Sequence, residues 1–217
     1  ARSADGAWQE QALLEARDGR VEDGFGAALD VADGTLVVGA PATNAVYVFQ
    51  AGEDGWTQAA RLTPADSTAA FGTSLALAGD RLFVGTEATV TMSGGDMTQA
   101  GAVHLFRRSD NGAWSESDVL RSDQMSADGG FGHTLAASSE HLLVGAPKQG
   151  GGAVVAFRRG PDGWAESQTL TAAGLGGSAQ FGATLEWAGD QLLVGAPRAF
   201  DATGAVRTYT YDSANTG

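Results

Sequence analysis

Acidic side chains outnumber basic ones by 26 to 13 in this 217-residue chain, and most stand between apolar runs. Asp66, Glu87, Asp96, Asp128 and Asp201 fall in such segments, with Lys148, the chain's lysine, and Arg198 as opposing charges among them. Gathered around a concave mouth, these seven would attract a cation, a basic peptide or the hydroxyl network of a sugar. Solvated acidic loops that keep the protein soluble give the same composition. His104, His133 and His141 lack a ligand spacing such as H-x-H, although His133 directly follows a Phe-Gly pair. There is no cysteine, so no disulfide, thiolate zinc site or thiol nucleophile exists. Serine is plentiful but never sits in a G-x-S-x-G elbow. Gly150–Gly152 and Gly174–Gly177 lack the Lys-Ser/Thr that closes a phosphate loop, and read as turns. No catalytic group is assigned on this pattern.

The elements that would position these residues repeat four times. Phe-Gly stands at Phe25-Gly26, Phe71-Gly72, Phe131-Gly132 and Phe181-Gly182, opening first strands that carry F-G-x-x-L. A second strand follows at Leu36–Gly39, Leu82–Gly85, Leu142–Gly145 and Leu192–Gly195, an apolar run suited to burial on both faces. Third strands begin at Val46, Val103, Val154 and Val206. Fourth strands run Trp56 to Leu62, Trp114 to Leu120, Trp164 to Leu170 and, at the chain's start, Trp8 to Leu14. A spacing of six puts each Trp and Leu on one strand face. The phase of the four tryptophans fits packing better than ligand stacking. Trp187 breaks the phase and falls at a first-to-second turn.

A period of roughly 45–60 residues is that of a four-stranded propeller blade. The reading is an all-β propeller forming one domain over 1–217, with blades at about 25–62, 71–120, 131–170 and 181–211 plus 7–14. The N-terminal strand is expected to finish the last blade, which would remove an exposed sheet edge. Two closures fit: one chain closing on itself as four blades, or two chains exchanging end strands in an eight-bladed ring. The expected state is therefore a monomer or a homodimer.

These motifs resemble the FG-GAP repeats of the integrin α-subunit propeller and its bacterial relatives. The match includes Gly-Ala-Pro at Gly39–Pro41, Gly145–Pro147 and Gly195–Pro197, while the second unit reads Gly85-Thr86-Glu87. The resemblance implies an extracellular, surface or periplasmic domain used for recognition of a protein or glycan, with a structural or assembly role as the alternative. Family members often hold calcium in an Asp-rich loop between the first and second strands. Here those connections are tight turns such as Asp33-Gly34 and Gly79-Asp80 with one or two carboxylates, too few for six to eight oxygens. No metal or other cofactor is expected. A formal charge of −13 disfavours nucleic acid, and no run is long and apolar enough for membrane insertion. Residues 86–101 form the longest second-to-third connection and are marked as the main elaboration of the loop face.

Overall fold

In the computed structural model, residues 6–66, 69–87, 90–91, 98–99 and 101–212 are described. The architecture is an all-β propeller of four antiparallel sheets around a common axis. Blade 1 is β1 (Ala28–Ala32), β2 (Thr35–Ala40), β3 (Ala45–Gly52) and β4 (Gly55–Leu62). Blade 2 is β5 (Ser74–Ala78), β6 (Arg81–Thr86), β9 (Ala102–Arg108) and β10 (Trp114–Leu120), with a hairpin of β7 (Val90–Thr91) and β8 (Thr98–Gln99) inserted. Blade 3 is β11 (Thr134–Ala137), β12 (His141–Ala146), β13 (Ala153–Gly160) and β14 (Gly163–Thr171). Blade 4 has β15 (Thr184–Ala188), β16 (Gln191–Ala196) and β17 (Ala205–Thr210). The hairpins close tightly: Ala32 pairs with Thr35 across Asp33-Gly34, whose φ values of 48° and 70° are those of a mirror-image turn matched to strand twist. Among the described residues no helix is long and apolar enough to cross a membrane.

The repeated motifs hold neighbouring blades together. Each Phe-Gly phenylalanine packs edge-on against the aromatic of its own blade's third strand, in the pairs Phe25–Phe49, Phe71–Phe106, Phe131–Phe157 and Phe181–Tyr209, at 5.8–6.3 Å between centroids. The following glycine turns with φ of 88–95° at Gly72, Gly132 and Gly182 and lays its carbonyl over the Leu-x-Val-Gly glycine of the blade before. A Cβ on Gly39, Gly85 or Gly145 would overlap that oxygen. Ser74 Oγ donates to the Gly132 carbonyl at 2.7 Å and Thr134 Oγ1 to the Gly182 carbonyl at 2.8 Å. The third-strand valines beneath, Val46, Val103 and Val154, are wholly buried. Apolar clusters accordingly lie between blades 1 and 2, 2 and 3, and 3 and 4.

One expectation is corrected. Trp and Leu of each fourth strand face opposite ways: Trp56 packs with Tyr47 and Phe49, whereas Leu62 packs with Val46 and Val48 on the other side. The cause is a bulge in β4, β10 and β14 that leaves Ala59, Ser117 and Ser167 without a register partner, so one extra residue reverses the alternation. The hydroxyls of Ser117 and Ser167 donate to the Leu105 and Ala156 carbonyls beside the bulge. At the end of the ring, among the described residues, blade 4 has three strands, no strand of the four sheets includes residues 7–14, and the first and last blades share no apolar cluster; residues 213–217 lie outside the described residues.

Candidate functional site

Alternation of strand direction sends every second-to-third and fourth-to-first connection to one face. There Glu87, the residue after β6, meets His133, two residues past Phe131, and Lys148 from the loop after β12. The Glu87 carboxylate accepts from His133 Nδ1 at 2.8 Å and from Lys148 Nζ. Burial pushes the Glu87 carboxyl up, but the hydrogen bonds and positive charge of Lys148 and His133 outweigh it and hold the group below its ordinary 4.5. The cluster pins blade 2 to blade 3. Glu87→Gln is expected to lower stability by about 1–2 kcal/mol near neutral pH. Because the folded pKa is depressed, that stabilisation is present above the unfolded value and lost as pH falls through the folded one. Wild type and variant should therefore converge in thermal unfolding only as the pH falls well below the ordinary 4.5, whereas a gap independent of pH would contradict the assignment.

The remaining sequence candidates are distributed over the same face. Asp66 pairs with Arg121 at 3.3 Å beside the connection from blade 1 to blade 2. Asp128 is exposed in a short turn at Ala127–Gly129, on the loop whose Gly129 carbonyl accepts from Lys148 N at 3.0 Å. Arg198 exposes its side chain while its amide donates to the Ala179 carbonyl, the same backbone contact one blade later. Asp201 lies in a turn where Phe200, Asp201 and Ala202 take φ of 50°, 57° and 69° in succession, an unusual run of left-handed residues. Asp96 lies outside the described residues. The fold thus joins Glu87 and Lys148, with Asp128 nearby, and leaves Asp66, Arg198 and Asp201 on separate connections.

One concavity of this face carries no motif in the sequence. A groove of about 630 Å³ runs between the loops of blade 3 and its neighbours. Its walls are Gln124 and Met125, the Gln149–Gly152 loop, the end of β14 at Thr169 and Thr171, and the Gly174–Gly177 stretch. The glycine runs are turns, as their composition implies, and their main chain forms part of the wall, where some peptide groups are already paired, Gly152 N with the Gln149 carbonyl and Phe181 N with the Gly151 carbonyl. Amide, hydroxyl and peptide groups therefore line it without a charged side chain.

The histidines behave differently from one another. His104 is fully buried, with Nδ1 2.5 Å from Glu116 Oε1, and Glu116 Oε2 in turn accepts from Ala65 N at 2.8 Å. It is a packed residue that fastens the blade 1–2 connection. Trp187 belongs to β15 and packs within the blade 3–4 cluster rather than capping a turn. The family's calcium chemistry does not fit the turns between first and second strands. Asp80 is held by Arg81 at 2.7 Å and Arg107 at 3.0 Å, and Asp30 Oδ2 accepts from Leu77 N at 2.7 Å. Among the described residues no three His, Cys, Asp or Glu gather as a metal-binding group.

Comparison with known proteins agrees with this architecture. No curated protein matches the sequence. Among solved structures, a candidate 6-phosphogluconolactonase from Bacteroides uniformis superposes with a TM-score of 0.59 at 15% identity, over 86% of this chain and 53% of that one. A second such protein, from Bacteroides fragilis, gives 0.57 at 17% identity over 87% and 54%. A protein from Lactobacillus plantarum gives 0.55 at 15% identity over 83% and 51%. The chain spans about half the length of these structures, and at such identities the likeness is one of fold. The family profile described as FG-GAP repeat matches residues 8–49 and 56–106, the first blade with its leading segment and most of the second. The chain thus carries FG-GAP repeats over residues 8–49 and 56–106, and the same Phe-Gly and Leu-x-Val-Gly contacts recur between its later blades.

Proposed function

We propose that the protein is a non-catalytic recognition module of a secreted or surface-exposed protein, taking a glycan or an extended protein segment on its loop face. The observation that carries this reading is the glycine-walled groove of about 630 Å³. Peptide N–H and C=O groups, two glutamine amides and two threonine hydroxyls offer donors and acceptors without charge, which is the chemistry that pairs with sugar hydroxyls or a peptide main chain. The rigid blades on either side hold these loops in place, as suits a binding surface built on a scaffold. The lactonase names of the superposed structures are left with those proteins, because fold alone does not carry chemistry.

Gly177 offers a clean test. It lines the groove, its φ is not left-handed, and a Cβ there meets nothing within 4 Å. Gly177→Trp should therefore fill the groove while shifting stability by no more than about 0.5 kcal/mol. Glycan and extracellular-protein arrays probed with the labelled chain are expected to show binding that Gly177→Trp loses. Binding untouched by that variant, or arrays without any binding, would favour the structural role instead.

A further inference from the structure

If the glycine-walled groove is where the ligand sits, the chemistry of its wall names the kind of ligand. Gln149 is a firmly held polar side chain there. Its Oε1 accepts from Ser126 N at 2.9 Å and from Ser126 Oγ at 2.6 Å. Gly129 lies so close that a Cβ on it would stand 2.7 Å from the same oxygen. The main chain of Gln149 is fixed as well, its amide donating to the Ala146 carbonyl at 3.2 Å and its carbonyl accepting from Gly152 N at 2.8 Å. With Oε1 engaged, the N–H groups of Nε2 donate to no protein atom among the described residues. Half-buried and held from both sides, they are pre-organised donors at the groove wall.

The acceptors of the wall are largely spent. The carbonyls of Gly151, Ala172 and Gly176 accept from the amides of Phe181, Leu175 and Ala179 at 3.0, 2.9 and 3.4 Å, and the Ala173 carbonyl accepts from the Arg207 guanidinium. Thr169 Oγ1 donates to Glu166 Oε1 at 3.1 Å. By contrast, the Thr171 hydroxyl and the Gln124 carboxamide make no hydrogen bond among the described residues. An extended peptide brings one N–H for nearly every C=O and needs acceptors in alternation with donors. This wall favours a ligand that supplies oxygen acceptors instead.

Beside the Gln149 carboxamide the wall is apolar. The amide that Gln149 receives belongs to the Met125-Ser126 peptide bond, so the Met125 side chain adjoins it, partly buried against the blade 2–3 cluster. Ala153 and Ala172 add methyl surface. No aromatic ring and no charged side chain is among the lining residues, so recognition rests on uncharged hydrogen bonds and small apolar contacts.

We propose that the groove recognises an N-acetylated amino sugar within a neutral glycan, the acetamido carbonyl accepting from Gln149 Nε2 while its methyl lies against Met125 and Ala172. The ring hydroxyls, which both donate and accept, meet Thr171 and Gln124. A fixed amide donor beside a thioether selects a carbonyl that carries a methyl group. A sugar with a hydroxyl in that place leaves the apolar wall unmatched. The formal charge of −13 acts against glycans bearing carboxylate or sulfate groups. The cavity of about 630 Å³ is of the size of small-ligand clefts.

Isothermal titration of the 217-residue chain with two probes tests this. The probes are the β-1,4-linked trimers of N-acetylglucosamine and of glucose, which differ only in the acetamido groups. The N-acetylated trimer is expected to bind at least about tenfold more tightly than the glucose trimer. Gln149→Glu keeps an oxygen for Ser126 but removes the donor, and should weaken binding of the N-acetylated trimer by about tenfold or more with an unchanged circular-dichroism spectrum. Ser126→Ala, at an exposed position, frees the Gln149 carboxamide to rotate and should weaken the same trimer by a smaller factor. Equal binding of both trimers, lost together in Gly177→Trp, would overturn the acetamido assignment and keep the groove as a glycan site. Binding of the N-acetylated trimer that survives Gln149→Glu would overturn it as well. So would no binding of either trimer up to about 10 mM. A protein segment captured on the arrays and lost in Gly177→Trp would then leave the groove to a peptide.

Discussion

Gly85→Ala is expected to destabilise the propeller by about 3 kcal/mol or more, against about 1 kcal/mol for Gly195→Ala. Both glycines end a Leu-x-Val-Gly strand, so propensity and local sequence do not separate them. What differs is the blade that follows. A Cβ on Gly85 would overlap the Gly132 carbonyl and the Ser74 hydroxyl that donates to it. The carbonyl belongs to a backbone turn held by buried Phe131, so relief requires blades 2 and 3 to part or the turn to abandon its hydrogen bond. On Gly195 the new methyl would meet chiefly the Thr184 side chain, which can change rotamer. At about 2–4 °C per kcal/mol for a domain of this size, Gly85→Ala should lower the Tm by about 10 °C. Equal losses for the two variants would contradict the docking scheme.

Phe131→Ala should have a comparable effect through lost packing rather than overlap. Phe131 is fully buried between blades 2 and 3, edge-on to Phe157 at 6.2 Å. Truncation removes most of a phenylalanine from a close-packed interface and leaves a cavity that rigid sheets cannot collapse to fill, a change of about 3–5 kcal/mol. Phe25 occupies the same place in the repeat and makes similar ring contacts, with Tyr47 at 5.6 Å and Phe49 at 6.1 Å. Packed against no preceding blade among the described residues, it should lose about half as much on truncation, as chemical denaturation can measure.

The blades were legible because their contacts are local in the repeat. Phe-Gly, Leu-x-Val-Gly and the third-strand Val each serve one role in every unit, so four copies disclose both the strand order and the docking glycines. The side of the tryptophans was not legible. A bulge at Ala59, Ser117 or Ser167 has no composition of its own, yet it reverses the alternation on which the spacing argument depends. Residues 8–14 carry the Trp and Leu spacing of a fourth strand, but which blade such a strand finishes depends on the angle between blades, a property of the whole ring. Glu87, His133 and Lys148 come together from 46 and 61 positions apart on different blades. The one sequence signal was the place of His133 just after a Phe-Gly turn. The groove was invisible for a different reason: much of its wall is main chain at Gly150–Gly152 and Gly174–Gly177, and main chain leaves no motif.

Acidic side chains outnumber basic ones by 26 to 13, which favours neutral or basic ligands over anionic ones at the groove.

The recognition account is tested most directly by a hydrogen–deuterium exchange footprint of the chain with and without the strongest ligand from the arrays. The account predicts protection of residues 124–125, 149–152 and 172–177, with the opposite-face hairpins at Asp33-Gly34, Gly79-Asp80 and Gly189-Asp190 unchanged. Protection at those hairpins, with the groove exchanging as before, would contradict it.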